Sequence, residues 1–377
     1  MRVASVILRD FRGYEAAAAP LGGGLTVVLG PNGAGKTNLL EALYFGCTGR
    51  SCRTANDREL VRFGSSTTRV VVTTEGDDGM HELAVGFTPG EPKRMSVDGA
   101  AVERLLDSPH RPLVSVFLPD RLELIKGAPA LRRAHLDQFV AALWPARAAN
   151  RRAYSQVLAQ RNALLLRVRD GRGSRASLEA WDAQLARHAI VLMADRCQAV
   201  ELATGLFVDL CRRLGLDGEP AVAYRPRSRA SDEPGFIAEL ADRLDSDLER
   251  GFSGHGPHRD DLVVSREGRE LRVYGSQGQQ RLGLLALLLA ERAAIARARP
   301  AVPLLLLDDV LSELDAARRA ALVEFLQESG GQTMITTTDL DQLPAASQIG
   351  IAQLAVADGQ VADGQLHDEA LAVGRAS

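Results

Sequence analysis

The most specific chemistry in this 377-residue chain is carried by eight residues, "GPNGAGKT", running from Gly30 to Thr37. Gly30, Gly33 and Gly35, with Pro31, Asn32 and Ala34 between them, let successive backbone N–H groups converge on an anion. The apolar run "LTVVL" leads into the loop and a helical pattern leaves it. That context separates a phosphate-binding loop from a chance glycine cluster. Lys36 has the reach to meet β- and γ-phosphates, and the Thr37 hydroxyl can ligate Mg²⁺. A nucleoside triphosphate with Mg²⁺ is therefore the expected ligand.

Two further stretches complete such a site. "LLLLDDVLSELD" (Leu304–Asp315) is a buried-strand pattern ending in paired acids. Asp308 is placed to hold Mg²⁺. Asp309 would lie near the γ-phosphate, where it could orient or deprotonate the attacking water. Lys36 and Asp309 are thus the candidate catalytic pair, and a carboxylate one methylene shorter than Glu leads us to expect slow turnover. In "YGSQGQQR", Ser276 can cap a helix that begins near Gln277, and Gly278 permits close backbone approach. A helix start is an anion site. The loop at Gly30 already encloses most of a triphosphate, so a second anion site most economically completes the γ-phosphate's shell from outside, in trans.

Phosphate loop, Ser-Gly-Gln signature, strand-end acids and "SELD" together resemble the ABC-type ATPases, in which two heads sandwich two ATP molecules and each signature serves the opposite head. The chain more specifically resembles the RecF family, bacterial recombination-repair ATPases related to SMC heads, over about residues 1–357. The resemblance rests on "LRDFRGY" (Leu8–Tyr14), "GKTNLLEALYF", "LPDRLELIKGAPALRRAHLD" (Leu118–Asp137), "GPHRDDL" (Gly256–Leu262), "GSQGQQR" and "LLDDVLSELD". It implies an ABC/SMC-type P-loop ATPase head of α/β class, with a mixed sheet, an antiparallel β layer and an inserted, mainly helical lobe. It also implies an ATP-dependent homodimer in which Ser276 and Gly278 bind the other copy's nucleotide, a nucleotide contact from Arg12, and weak DNA-stimulated ATP hydrolysis. The biology it implies is cytoplasmic: binding to gapped DNA and single-strand/duplex junctions, cooperation with RecO and RecR, and assistance to RecA loading. One departure stands out. The family usually shows Pro-Glu-Asp-Leu where this chain reads Pro119-Asp120-Arg121-Leu122.

Several elements must position these motifs. "RVASVIL" and "LTVVLG" read as strands, and alternating runs between Arg69 and Val97 read as an antiparallel layer. From about Asp120 to Leu248 the pattern is mostly helical, with a break at 171–175 joining two long helices as a hairpin. Strands return after Phe252 in "DLVVSR", "ELRVYG", "VPLLLLDDV", "QTMITTTD" and "IAQLAVADGQ". The expected organisation is a first half of the head over 1–118, a basic helical lobe over 119–250, the second half of the head over 251–357, and a terminal hairpin with a loose tail over 358–377.

Charge distribution points to a polyanionic partner. The net charge is −3, yet Lys126–Arg175 holds eleven basic residues against Asp137 and Asp170, or +9, leaving −3 − 9 = −12 elsewhere. Lys126, Arg132, Arg133, Arg151 and Arg152 are the candidate DNA contacts. Of 45 basic residues only Lys36, Lys93 and Lys126 are lysines, which adds weight to Lys126 as a site for a compact ammonium. Cys47, Cys52, Cys197 and Cys211 fit no metal or redox spacing and read as reduced core thiols. No 18-residue apolar run exists, so no membrane partner is expected. His255 and His258 stand near Asp260 and Asp261 but lack the company of a metal site; His258 is expected to pack or hydrogen-bond beside the signature helix. Two rival readings are a nucleotide-binding subunit of an ABC-type transporter and an SMC-like DNA organiser. The basic lobe and the absence of His after "MITTTD" weigh against the first. The lack of a long coiled coil and of a CxxC hook weighs against the second.

Overall fold

The computed structural model describes residues 1–118, 122–299, 301–344 and 351–363. The chain opens with a hairpin of β1 (Arg2–Phe11) and β2 (Tyr14–Pro20), followed by β3 (Leu25–Leu29), which leads through the Gly30 loop into α1 (Lys36–Thr48). Next come β4 (Thr68–Gly76), β5 (Gly79–Phe87), β6 (Arg94–Val97) and the short β7 (Ala100–Ala101), then β8 (Val114–Phe117). Six of these strands form an antiparallel sheet of order β2-β1-β4-β5-β6-β7. Alternation puts Val6, Leu8, Val70, Val72, Leu83 and Val85 into one core with Leu39, Leu40, Leu43 and Phe45 of α1. Helix and sheet meet closely at Gly46, where a Cβ would fall 2.4 Å from Val72 Cγ2. α1 stops at the left-handed Gly49, whose N–H bonds back to Phe45 O.

The middle of the chain continues with α2 (Glu123–Lys126), α3 (Pro129–Leu143), α4 (Ala148–Arg169), α5 (Glu179–Arg213), β9 (Pro220–Arg225), α6 (Glu233–Ala241), α7 (Leu244–Arg250), β10 (Asp261–Arg266), β11 (Arg269–Glu270), α8 (Leu271–Tyr274) and α9 (Gln277–Ala298). Tyr154 and Val157 of α4 pack with Leu185, Ala189 and Leu192 of α5 and Phe236 of α6, so the expected hairpin of long helices is present. α9 is apolar on nearly every side, with Leu282–Ala290 buried throughout, as a helix enclosed by its neighbours must be.

Two local expectations change here. Residues 220–225, in the stretch read as helical, form β9, which pairs antiparallel with β10. "ELRVYG" is strand only to Glu270; Leu271–Tyr274 coil into one helical turn. The Gln280 side chain holds that turn by donating to the carbonyls of Leu271 and Gly275 at 2.8 and 3.1 Å.

The chain then completes a second sheet with β12 (Leu304–Leu307), α10 (Ala316–Ser329), β13 (Thr333–Thr337), β14 (Ala352–Ala357) and β15 (Gln360–Asp363). Its order is β15-β14-β3-β13-β12-β8. All pairs are parallel except β14 with β15. Every residue of β12 and β13 is buried, the pattern of parallel strands covered on both faces.

The chain divides into two compact units, Met1–Arg121 with Arg299–Ser377, and Leu122–Ala298. Residues 251–298, expected with the second half of the head, fall in the helical unit. The pairing of β10 with β9 and the packing of α9 against α5 account for this. Pro119-Asp120-Arg121 and the tail after 363 lie outside the described residues.

Candidate nucleotide site and signature helix

Internal contacts fix the loop between β3 and α1. Gly33 and Gly35 have φ of 82° and 115°, backbone that favours glycine. A Cβ on Gly30 would sit 2.2 Å from the Val356 carbonyl oxygen of β14. Tyr14, buried at the start of β2, donates its hydroxyl to the Gly35 carbonyl at 2.9 Å. Lys36 curls back over the loop, its Nζ donating to the carbonyls of Gly30 and Pro31 at 2.7 and 3.0 Å. Desolvation lowers the Lys36 pKa, while the charges of Asp309 and Asp308 oppose that shift. Gly13, Asn32, Gly33, Asn38 and the β14–β15 turn at Asp358–Gly359 line a pocket at the loop's mouth.

The strand-end acids meet the loop from the other side. Thr37 Oγ1 lies 3.0 and 2.9 Å from the two carboxylate oxygens of Asp308. Thr336 of β13 donates its hydroxyl to Asp308 Oδ1 at 2.7 Å and accepts the Asp309 N–H at 2.9 Å. One threonine thus spaces both acids. Burial pushes the Asp308 carboxyl above the usual carboxylate range, hydrogen bonds from Thr336 and Thr37 pull it down, and the Asp309 charge pushes it up again. A buried carboxylate beside a hydroxyl is an all-oxygen donor set, which fits a hard cation such as Mg²⁺. Asp309 adopts φ 45°, left-handed backbone uncommon outside glycine. Its Oδ1 is buried and makes no hydrogen bond among the described residues.

Arg12 is engaged elsewhere. Its guanidinium forks onto the fully buried Glu41, with both contacts at 2.9 Å, and Glu41 also receives Ser51 and Arg53. Tyr14, Glu41 and Thr336 fall inside "LRDFRGY", "GKTNLLEALYF" and "MITTTD", but no local pattern assigns them these contacts; a carboxylate in the apolar run of α1 is the signal for Glu41.

In the helical unit, Ser276 and Gln279 cap α9 reciprocally. Ser276 N–H donates to Gln279 Oε1 at 2.9 Å, and Gln279 N–H to Ser276 Oγ at 3.3 Å. Ser276, Gln277 and Gly278 are exposed. A Cβ on Gly278 would meet nothing within 4 Å. Val273 and Tyr274 just before it are 62% and 68% exposed.

The basic candidates separate by burial. Arg132 is only 3% exposed; its fork bonds Asp261 at 2.6 and 2.8 Å and it donates to the carbonyls of Ile125 and Gly127. This corrects its reading as a DNA contact, because its charge is already neutralised inside the fold. Arg133 is half-buried and donates to the Asp260 carbonyl. Lys126, Arg151 and Arg152 are exposed, with Arg151 also reaching Asp137. Arg161, counted in the basic window, is fully buried against Asp182 and Asp247. His258 sits between Tyr154 Oη and the Ser253 carbonyl, and burial drives its pKa down to about 4. His255 pairs with Glu239. Cys47, Cys52 and Cys211 are buried as expected; Cys197 is exposed, correcting its reading as a core thiol. No helix among the described residues is long and apolar enough to cross a membrane.

Known proteins share this architecture. A family model described as an AAA domain matches residues 5–94. The DNA replication and repair protein RecF of Heliobacterium modesticaldum is 37% identical over 349 residues, covering 90% of this chain and 93% of that protein. RecF of Myxococcus xanthus is 39% identical over 360 residues, covering 90% and 91%. Among solved structures, the recombination mediator protein RecF with ATP, of the RecFOR pathway, superposes with a TM-score of 0.82 at 25% identity over 96% of this chain and 97% of that one. The Smc head of Pyrococcus furiosus, with a TM-score of 0.60 at 18% identity over 99% of each chain, shares the fold. With two relatives aligned along nine-tenths of its length, the chain belongs to the RecF family of DNA replication and repair proteins and carries the ABC/SMC-type head that its motifs announce.

Proposed function

We propose that this chain is an ATP-operated DNA clamp of recombinational repair. The observation that carries the reading is the convergence of Thr37 Oγ1 and the buried Asp308 carboxylate, 2.9 Å apart, beside the Lys36 loop. ATP is the nucleotide named for a structure with this fold. The backbone of Gly30–Thr37 and Lys36 would hold its phosphates, and Thr37 with Asp308 would hold Mg²⁺, which supplies charge neutralisation at the β- and γ-phosphates. Asp309 would orient or deprotonate the attacking water. Leaving Asp309 Oδ1 buried and unpaired costs about 1–3 kcal/mol, an expense that a polar visitor such as that water would relieve.

Ser276 and Gly278 act in trans on the nucleotide of a second copy. Their exposure, the open space at Gly278 and the exposed Val273 and Tyr274 beside them support a docking face there. Lys126, Arg151 and Arg152 contact the DNA backbone, and the chain cooperates with RecO and RecR in loading RecA on gapped DNA, a reading that family membership supports. Arg12 serves nucleotide binding indirectly, by fixing Glu41 of α1. Family membership disfavours the transporter reading. Sedimentation with ATP, with ADP and without nucleotide tests the proposal. Dimers should appear with ATP alone and be stabilised by gapped DNA; monomers under every condition would sink it.

A further inference from the structure

A second constellation lies in the Met1–Arg121 part of the head unit, on the far strands of its antiparallel sheet. Asp78 occupies the turn between β4 and β5, His81 lies on β5, Asp98 follows β6, and His110 sits in the segment before β8. Atoms of Asp78, His81 and His110 able to ligate a metal all lie within 4.8 Å of one another. The two imidazoles stack with centroids 3.7 Å apart and planes at 24°, and both present a nitrogen to the same carboxylate. His81 Nε2 is 3.2 Å from Asp78 Oδ1, and His110 Nδ1 is 3.4 Å from Asp78 Oδ2. Bonds of ~2.1 Å to a tetrahedral Zn²⁺ set its ligand atoms ~3.4 Å apart. Both carboxylate–imidazole distances are near that spacing, and the third pair lies within 4.8 Å; a shared ion would require the stacked rings to turn so that their in-plane lone pairs converge.

The orientation of His81 supplies an independent observation. Its Nδ1 lies 2.8 Å from Asp98 Oδ2, and Asp98 is itself pinned by the Glu82 N–H at 2.7 Å. A carboxylate on Nδ1 selects the tautomer that leaves the Nε2 lone pair outward, the second-shell arrangement of metal-bound histidines. That Nε2 is buried with the Asp78 carboxylate 3.2 Å away, a contact that does not have hydrogen-bond geometry. The segment carrying His110 is tied to the sheet by Thr74 Oγ1, which donates to the His110 carbonyl at 3.2 Å. Asp98 and His110 also line an open cleft with Val102, Glu103 and Asp107, so a fourth ligand or water has access.

We propose that Asp78, His81 and His110 bind a divalent transition ion of the Zn²⁺ class, with Asp98 positioning His81. Two imidazoles and one carboxylate favour such an ion over Mg²⁺ or Ca²⁺, which take oxygen. The site clips the β4–β5 turn to the segment before β8, and it is separate from the nucleotide residues. A proton competes with the metal for each imidazole, so affinity rises with pH.

Cobalt(II) titration of the full-length, nucleotide-free chain tests this, because tetrahedral nitrogen-containing sites give intense visible bands and octahedral oxygen sites such as Thr37 with Asp308 give faint ones. The expected result is an intense band saturating near one equivalent, displaced by Zn²⁺ and lost in His81→Gln and His110→Gln. Asp98→Asn should weaken binding by roughly 10–100-fold while leaving the band's shape intact. If His81→Gln fails to fold by circular dichroism, His110→Gln and Asp98→Asn carry the test. Only a faint band in the unaltered chain, or an intense one that survives His110→Gln, overturns the proposal.

Discussion

The loop at Gly30 and the helix start at Ser276 both combine glycine with a hydroxyl residue, yet their glycines exist for opposite reasons. Gly30 and Gly35 are demanded from within: Val356 O and Tyr14 Oη occupy the space where side chains would go. Gly278 answers to nothing inside its unit, since the space around it is open. A glycine inside a helix costs about 0.5–1 kcal/mol relative to alanine, and no neighbour in the described fold offsets that. The contrast teaches where to look for an external partner: at residues whose type the chain's own packing leaves unexplained. The arginines divide the same way. Arg132 is accounted for by Asp261, whereas exposed Arg152 meets no carboxylate among the described residues.

The sharpest way to break the comparison is at the strand-end acids that face the loop. Asp309→Asn should slow ATP hydrolysis by on the order of 10²-fold or more, as loss of a general base does, while nucleotide binding persists and dimers accumulate. Single-turnover kinetics and sedimentation read both effects; an unchanged rate would assign the water to another group.

Next in size is the contrast between Lys36 and Ser276. Lys36→Ala should cost about 3 kcal/mol of ATP affinity, roughly 150-fold, the worth of a strong charge-assisted contact. Ser276→Arg should leave the monomer's ATP affinity within about twofold and abolish dimerisation, because a bulky cation would enter the shared face rather than the monomer's own loop. Calorimetry and sedimentation separate these. Equal loss of ATP affinity in both variants would place Ser276 in the monomer's own site.

Smaller and opposite shifts in thermal stability are expected from two alanines. Gly30→Ala should destabilise by about 1–3 kcal/mol through overpacking. Gly278→Ala should be neutral or stabilise by up to about 1 kcal/mol. Matching destabilisation would show that Gly278 is internally required after all. Smallest of all is the outer arginine pair: Arg151→Glu with Arg152→Glu should flatten the salt dependence of DNA binding by about one logarithmic unit per lost phosphate contact. A parallel curve would remove both from the DNA path.

The head's motifs were legible because they are contiguous: eight residues give the loop, and two adjacent acids give the carboxylates at the strand end beside it. What escaped was assembled from distant residues. Thr336 reaches Asp308 only through the parallel pairing of β13 with β12, which no local pattern encodes. The helical unit runs past the expected bound of 250 to Ala298, because the lone strand β9 finds its partner β10 only after α6 and α7. Net charge over a window also misled. Arg132 and Arg161 both add to the window's +9, but acids outside the window, Asp261, Asp182 and Asp247, draw both inside. Window sums cannot see which charges are spent internally.

The phosphate loop hangs from β3, and both strands flanking β3 in the sheet, β13 and β14, are made some 300 residues later. At about 5–20 residues per second, a nascent chain carries β3 with two bare edges for roughly 15–60 s. During that interval the ribosome-tethered chain displays an apolar strand, LTVVL, with neither edge paired by its final neighbours. Its ability to bind nucleotide should arrive abruptly, once β13 and β14 have been made, rather than when the loop itself emerges.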